Sequence, residues 1–160
     1  MAIHRPQIQI RCQVIWKYKM ESSKLFRYEL IKNYVALYDE KDAGGLIMLW
    51  ERMSIEIVAL VGEGGFNSLY ERCISLTQIA FPWLVVSPSL HKIDHRFAEL
   101  RLRFEEQSIV QINAANNQLL IKFTDLLASL IGEQITVVIL HTAMGNSKID
   151  NNSIKELKNE

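Results

Sequence analysis

Net charge, paired cysteines and long apolar runs are all missing from this sequence, and each absence narrows what the chain can do. Eighteen lysines and arginines balance eighteen aspartates and glutamates, so the formal charge is zero. Nucleic-acid and membrane-surface binding normally leave a basic excess, which argues against both. Cys12 and Cys73 stand far apart with no CxxC spacing. They imply neither a disulfide framework nor a thiolate metal site, and they suit a reducing cytoplasm. The most apolar stretch, 119–144, is interrupted by Lys122, Asp125 and Glu133. It falls short of the roughly 18 unbroken apolar residues that a membrane span requires. No apolar signal-peptide core follows the first residues. The expectation is a soluble, cytoplasmic protein.

Catalytic signatures are missing too. No serine sits in a GxSxG elbow, and no HExxH occurs. Gly44-Gly45 and Gly62-Glu63-Gly64-Gly65 place glycine before helices, where phosphate can bind. Neither fits GxxxxGK[ST], and helix junctions account for both. No cofactor is implied.

What is present is an ordinary globular balance: of 160 residues, 49% are apolar and 22% charged, enough to bury one substantial core. The charge is unevenly spread. Arg5, Arg11, Lys17, Lys19, Lys24, Arg27 and Lys32 precede position 35, against Glu21 and Glu29. A solvated basic end explains this, with contact to an anionic partner as the alternative. Residues 8–16 alternate briefly and read as a short extended segment. Because Met20 opens a more conventional start, 1–19 read as an N-terminal extension to a bundle at 20–145, with a polar tail at 146–160.

From Ser22 the apolar period becomes helical. Phe26, Leu30, Ile31, Tyr34, Val35 and Tyr38 form one broad face with Ser22 as N-cap; Tyr28 widens it. Leu46, Leu49, Trp50, Met53, Ile57, Leu60 and Val61 form the stripe of a second helix, and Phe66, Leu69, Tyr70, Cys73, Leu76 and Ala80 that of a third. Pro82 stops it. The apolar run 81–86 predicts an extended segment pressed on the bundle, with Trp83 as anchor. A fourth helix is expected over 94–107 and a fifth over 108–131. The β-branched run Ile135, Thr136, Val137, Val138 and Ile139 favours a strand on propensity, but no partner strand is available and a sixth helix closed by Gly145 is the better reading. The fold class is therefore an all-α bundle of five to six helices.

Two stretches match at an offset of 70 residues: Ala59-Leu60-Val61-Gly62-Glu63 against Ser129-Leu130-Ile131-Gly132-Glu133. Leu49 then aligns with Leu119, Trp50 with Leu120, Met53 with Phe123, Ile57 with Leu127, Leu69 with Ile139 and Tyr70 with Leu140. Each unit reads as helix, Gly-Glu junction, helix: glycine ends one rod and glutamate complements the dipole of the next. Two such amphipathic hairpins are expected to pack face to face.

Candidate chemistry is sparse. His91, Asp94 and His95 place two imidazoles and a carboxylate within one helical turn, a candidate zinc or iron set with no further ligand in sight. Surface residues at a helix start explain them as well. Glu63 and Glu133 are a candidate pair of facing carboxylates, although dipole complementation accounts for each. Asn116, flanked by Asn113 and Asn117, falls on an apolar stripe, where it fixes register or pairing in an oligomer or satisfies a backbone group in the Trp83 loop. His95 and His141 are candidate phosphotransfer histidines on a bundle, with no lysine-glycine pair after either to support that role. The leading functional expectation is a non-catalytic interaction or regulatory module that self-associates or binds a protein partner. The alternatives are nucleic-acid binding through the basic N-terminal region and a small-molecule or metal site between the hairpins.

Overall fold

The computed structural model describes residues 21–37, 43–85 and 92–145. The sequence readings on 1–20, Tyr38, His91 and 146–160 lie outside the described residues. Among the described residues every regular element is a helix: α1 (21–35), α2 (Ala43–Gln78), α3 (Ile93–Glu105), α4 (Ile109–Ile131) and α5 (Glu133–Met144). The expected all-α bundle is what is found, and the β-branched run at 135–139 is helical within α5.

Helix α2 is 36 residues long but is not one rod. Trp50 and Tyr70 would lie about 30 Å apart along a straight helix, yet their ring centroids are 5.7 Å apart. The chain doubles back at Gly62, whose backbone (φ 78, ψ 166) is the non-helical point within the element. Gly132 between α4 and α5 adopts nearly the same conformation, φ 93 and ψ 156. Both lie in a region of backbone space open essentially to glycine alone. At the second corner Gly132 serves both helices: its N–H donates to Ala128 O at 2.9 Å, and its carbonyl accepts from the Thr136 N–H at 3.2 Å and the Thr136 hydroxyl at 2.8 Å. Counting five helices or six therefore depends on whether α2 is taken whole or as two arms.

The repeat in sequence is a repeat in structure. Six aligned apolar pairs are buried in both members: Leu49 with Leu119, Trp50 with Leu120, Met53 with Phe123, Ile57 with Leu127, Leu69 with Ile139 and Tyr70 with Leu140; Leu60 and Leu130 beside the corners are exposed in both. The small polar pair Ser54 and Thr124 is also buried, as are Cys73 and Ala143. Arg52 and Lys122, again 70 apart, do the same work: Arg52 Nη1 donates to Ala143 O at 3.4 Å, and Lys122 Nζ to Leu76 O at 2.9 Å. Each cation answers carbonyls in the last turns of the other hairpin, where the helix dipole favours positive charge. The correspondence extends to the preceding helices. With α3 laid on α1 in a register one residue shorter, Arg96 falls on Arg27, Leu100 on Ile31 and Phe104 on Val35, and all six are buried.

The leading helices are exchanged. Arg27 on α1 bonds to Thr124, Asp125 and Glu133, so α1 lies on the α4–α5 hairpin. Phe97 on α3 packs against Trp50, Phe66 and Tyr70 of α2. Between the hairpins Trp50 meets Phe123 edge-on at 5.1 Å, and Phe66 lies 5.6 Å from the same ring. Edge-to-face aromatic pairs at these distances add to simple burial. The 81–85 segment does press on the bundle, but Leu84 rather than Trp83 is its anchor. Leu84 is fully buried and its carbonyl accepts from the Gln78 amide. Trp83 is half-buried against Phe104, because its larger ring reaches the edge of the core.

Candidate functional site

The most developed polar centre lies where α1 meets the Gly132 corner. Arg27 is 1% exposed, and each of its nitrogens finds an acceptor. Nε donates to Glu133 Oε1 at 2.6 Å, Nη1 to the Thr124 hydroxyl at 2.5 Å and Nη2 to Asp125 Oδ1 at 2.7 Å. Thr124 passes the chain on, its hydroxyl donating to Leu120 O at 2.8 Å. Tyr28 Oη donates to Asp125 Oδ2 at 2.8 Å, and Lys24 Nζ lies 3.9 Å from the same carboxylate. Burial opposes the guanidinium's charge, but its hydrogen bonds to Glu133 and Asp125 outweigh it and hold its pKa above the ordinary value. Burial and the bond to Asp125 likewise raise the Tyr28 hydroxyl. The centre clamps a charge in place; it leaves no unsatisfied base or nucleophile at an open surface.

Arg27 thus corrects the reading that put it among solvated N-terminal cations. Lys24 is also engaged with Asp125, although it remains exposed. Periodicity placed Arg27 beside an apolar face but gave no reason to bury it, since its partners lie about 100 positions further along. The one available signal was the pairing of Asp125 and Glu133 on either side of a glycine corner.

The equivalent Arg96 is also 1% exposed, yet it is less completely answered. Its Nη2 bonds to Glu71 Oε1 at 2.5 Å, its Cζ lies 6.0 Å from the Tyr70 ring, and its Nε has no partner. Burial lifts the Tyr70 hydroxyl far above its usual range and pushes the Cys73 thiol up to about 12. Cys73 donates to Leu119 O at 3.0 Å. A buried, neutral thiol of this kind is a packing group and not a nucleophile.

The candidate site residues fall in separate places. Asp94 and His95 are exposed on the first turn of α3, and His91 lies outside the described residues. Among the described residues no three of His, Cys, Asp and Glu come together as a metal-holding group. Glu133 is taken by Arg27. Glu63 instead lines an open groove between α2 and α3 with Ser54, Ile55, Val58, Lys92, Ile93 and Asp94. The two glutamates belong to different sites. Asn116 is fully buried and its Oδ1 accepts from Trp50 Nε1 at 3.0 Å, which ties one hairpin to the other; its Nδ2 has no partner. The partner found is Trp50 of the same chain, and not a backbone group of the Trp83 loop, one of the two readings of this residue. His141 is half-buried in the last turn of α5.

A second groove, about 460 Å³, runs between α1 and α5 and is lined by Ser22, Ser23, Phe26, Gln134, Val137 and Val138. No helix among the described residues is long and apolar enough to cross a membrane. In comparison with known proteins, no family model, curated protein or solved structure matches the chain.

Proposed function

We propose that the protein is a non-catalytic helical interaction module that self-associates through its α1–α5 face. One observation carries this reading. Phe26, 48% exposed, and Val138, 62% exposed, line the groove there with Val137, and Ile135, 49% exposed, follows Gln134 of the same lining along α5. The positions equivalent to Phe26, Ile135, Val137 and Val138 in the other half are His95, Gly65, Asn67 and Ser68. The same packing therefore forms with polar or small residues there. Internal stability does not demand apolar side chains at these sites, and leaving them in water forgoes roughly 25 cal/mol per Å² of apolar surface. Exposed apolar side chains gathered at a groove with a polar rim of Ser22, Ser23 and Gln134 are the usual mark of an interface.

The partner is a second copy, related by a twofold axis so that each Phe26 enters the groove of the other. One buried feature supports a reducing, cytoplasmic setting: Cys73 is a free thiol, its S–H donating to Leu119 O. Sedimentation equilibrium over the micromolar range tests the proposal. The expected result is a monomer–dimer equilibrium that the double variant Phe26→Glu, Val138→Glu abolishes without altering the melting of the monomer. A wild-type chain that stays monomeric throughout that range contradicts it.

A further inference from the structure

The two glycine corners differ in one respect. At Gly132 the acceptors Thr124, Asp125 and Glu133 close on a buried guanidinium. The equivalents at Gly62 are Ser54, Ile55 and Glu63, and among the described residues no cation is bonded to them, although Lys92 lines the same groove. The Glu63 carboxylate is exposed and forms no ion pair or hydrogen bond among the described residues. Ile55 is 69% exposed. Together with Val58, Lys92, Ile93 and Asp94 they line a groove of about 500 Å³ that mixes apolar side chains with two carboxylates and one lysine. Glu51 and Glu56 are exposed on the same arm of α2.

The chain carries a segment of matching chemistry. Residues 1–19 hold Arg5, Arg11, Lys17 and Lys19 and no acidic residue, interleaved with Ile8, Ile10, Val14, Ile15 and Trp16. Since the whole chain sums to zero, the rest carries the balancing acidic excess. Reach is not limiting. The 20 residues before Glu21 extend up to about 65 Å at ~3.3 Å each, whereas a domain of this size has a radius of gyration of about 14 Å. A tethered segment also meets its site at millimolar effective concentration, so it outcompetes a free one.

We propose that the groove between α2 and α3 is the docking site for the chain's own residues 1–19, bound in cis, with an arginine of that segment answering Glu63 as Arg27 answers Glu133. The site is separate from the α1–α5 face, and its fate does not depend on self-association.

Zero-length carbodiimide cross-linking of the full chain at low salt, read by mass spectrometry, tests the proposal. Lys17 or Lys19 is expected to join Glu63 or Asp94. In an equal mixture of light and heavy-nitrogen protein, those linked peptides are expected to be all light or all heavy. Their absence, or mixed-isotope pairs, overturns docking in cis. The second readout is trypsin cleavage after Arg11, Lys17 and Lys19. In the double variant Glu63→Gln, Asp94→Asn it is expected to rise about tenfold, as loss of two exposed charge contacts implies. Wild type is expected to match the variant at about 0.5 M salt, where screening acts over only a few ångströms. Equal cleavage of wild type and variant at low salt overturns the proposal.

Discussion

The cost of burying a guanidinium to 1% exposure is offset because Glu133, Asp125 and Thr124 each take one of its nitrogens. Arg27→Met preserves the aliphatic stem but leaves two carboxylates facing an uncharged neighbour. Removing one partner of a buried pair costs about 3–5 kcal/mol. Because the Asp125 side chain is 34% exposed and returns partly to solvent, the lower end, about 3 kcal/mol, is expected. Urea denaturation should show a lower midpoint at unchanged slope. Arg96→Met should lose clearly less, since Glu71, its partner, is 55% exposed and already hydrated. Equal losses at the two positions would show that burial of the stem, and not the ion pairs, dominates. Cys73 sets the alkaline limb. Its thiol is raised by burial from an ordinary 9.0 to about 12, so below about pH 9 folded and unfolded chains are both protonated there. Above it the unfolded thiol ionises first, and stability falls as pH rises from about 9 towards 12. Cys73→Ala, which copies the alanine at the equivalent Ala143, is expected to fold and to flatten the onset of that decline in a stability–pH series. Tyr70, also raised by burial, keeps the decline above about pH 10. An unchanged onset in the variant would remove Cys73 from the account.

The elements owe their shape to two glycines. Gly62 and Gly132 have open space where a Cβ would go, so only the backbone resists substitution there. At φ 78 and φ 93 with ψ near extended values, alanine is expected to cost about 1–3 kcal/mol at either position. Gly64 is the control. It is helical, exposed and equally unobstructed, so Gly64→Ala should stabilise by about 0.5–1 kcal/mol through helix propensity and a stiffer unfolded chain. Thermal melts of the three variants check this, and a stabilised Gly62→Ala would refute the corner. These elements were legible in the sequence for a simple reason. Leu49, Trp50, Met53 and Ile57 recur at a spacing that any helix converts into one buried stripe, and Ser108 caps α4 as a local rule predicts. What the sequence hid was relational. Nothing near Arg27 announces Glu133, nothing near Asn116 announces Trp50, and the size of Trp83 suggested an anchor where the smaller Leu84 fits fully. The Gly-Glu repeat was visible. That Glu133 is engaged while Glu63 is open depends on where α1 and α3 dock, which periodicity does not encode.

At the scale of the whole molecule, the exchange of leading helices makes the two halves one folding unit. Helix α1 covers the α4–α5 hairpin and α3 covers α2. Separating the halves would strip both hairpins at once, exposing Ile31 and Val35 on one side and Phe97, Leu100 and Phe104 on the other, all buried in the fold. Each such side chain contributes about 1.5–3 kcal/mol when fully buried. A state with one half folded therefore lies well above both end states, and unfolding is expected to be two-state. The test uses a lesion in one half and a reporter in the other. Trp50 and Trp83 both lie in the half that contains α2 or directly follows it, whereas Gly132 lies in the other. In a Trp16→Phe background, Gly132→Ala should lower the urea midpoint seen by tryptophan fluorescence by the same amount as that seen by far-ultraviolet circular dichroism. If the fluorescence midpoint stays at the parent value while ellipticity falls earlier, α4–α5 melts on its own and the exchange does not couple the halves.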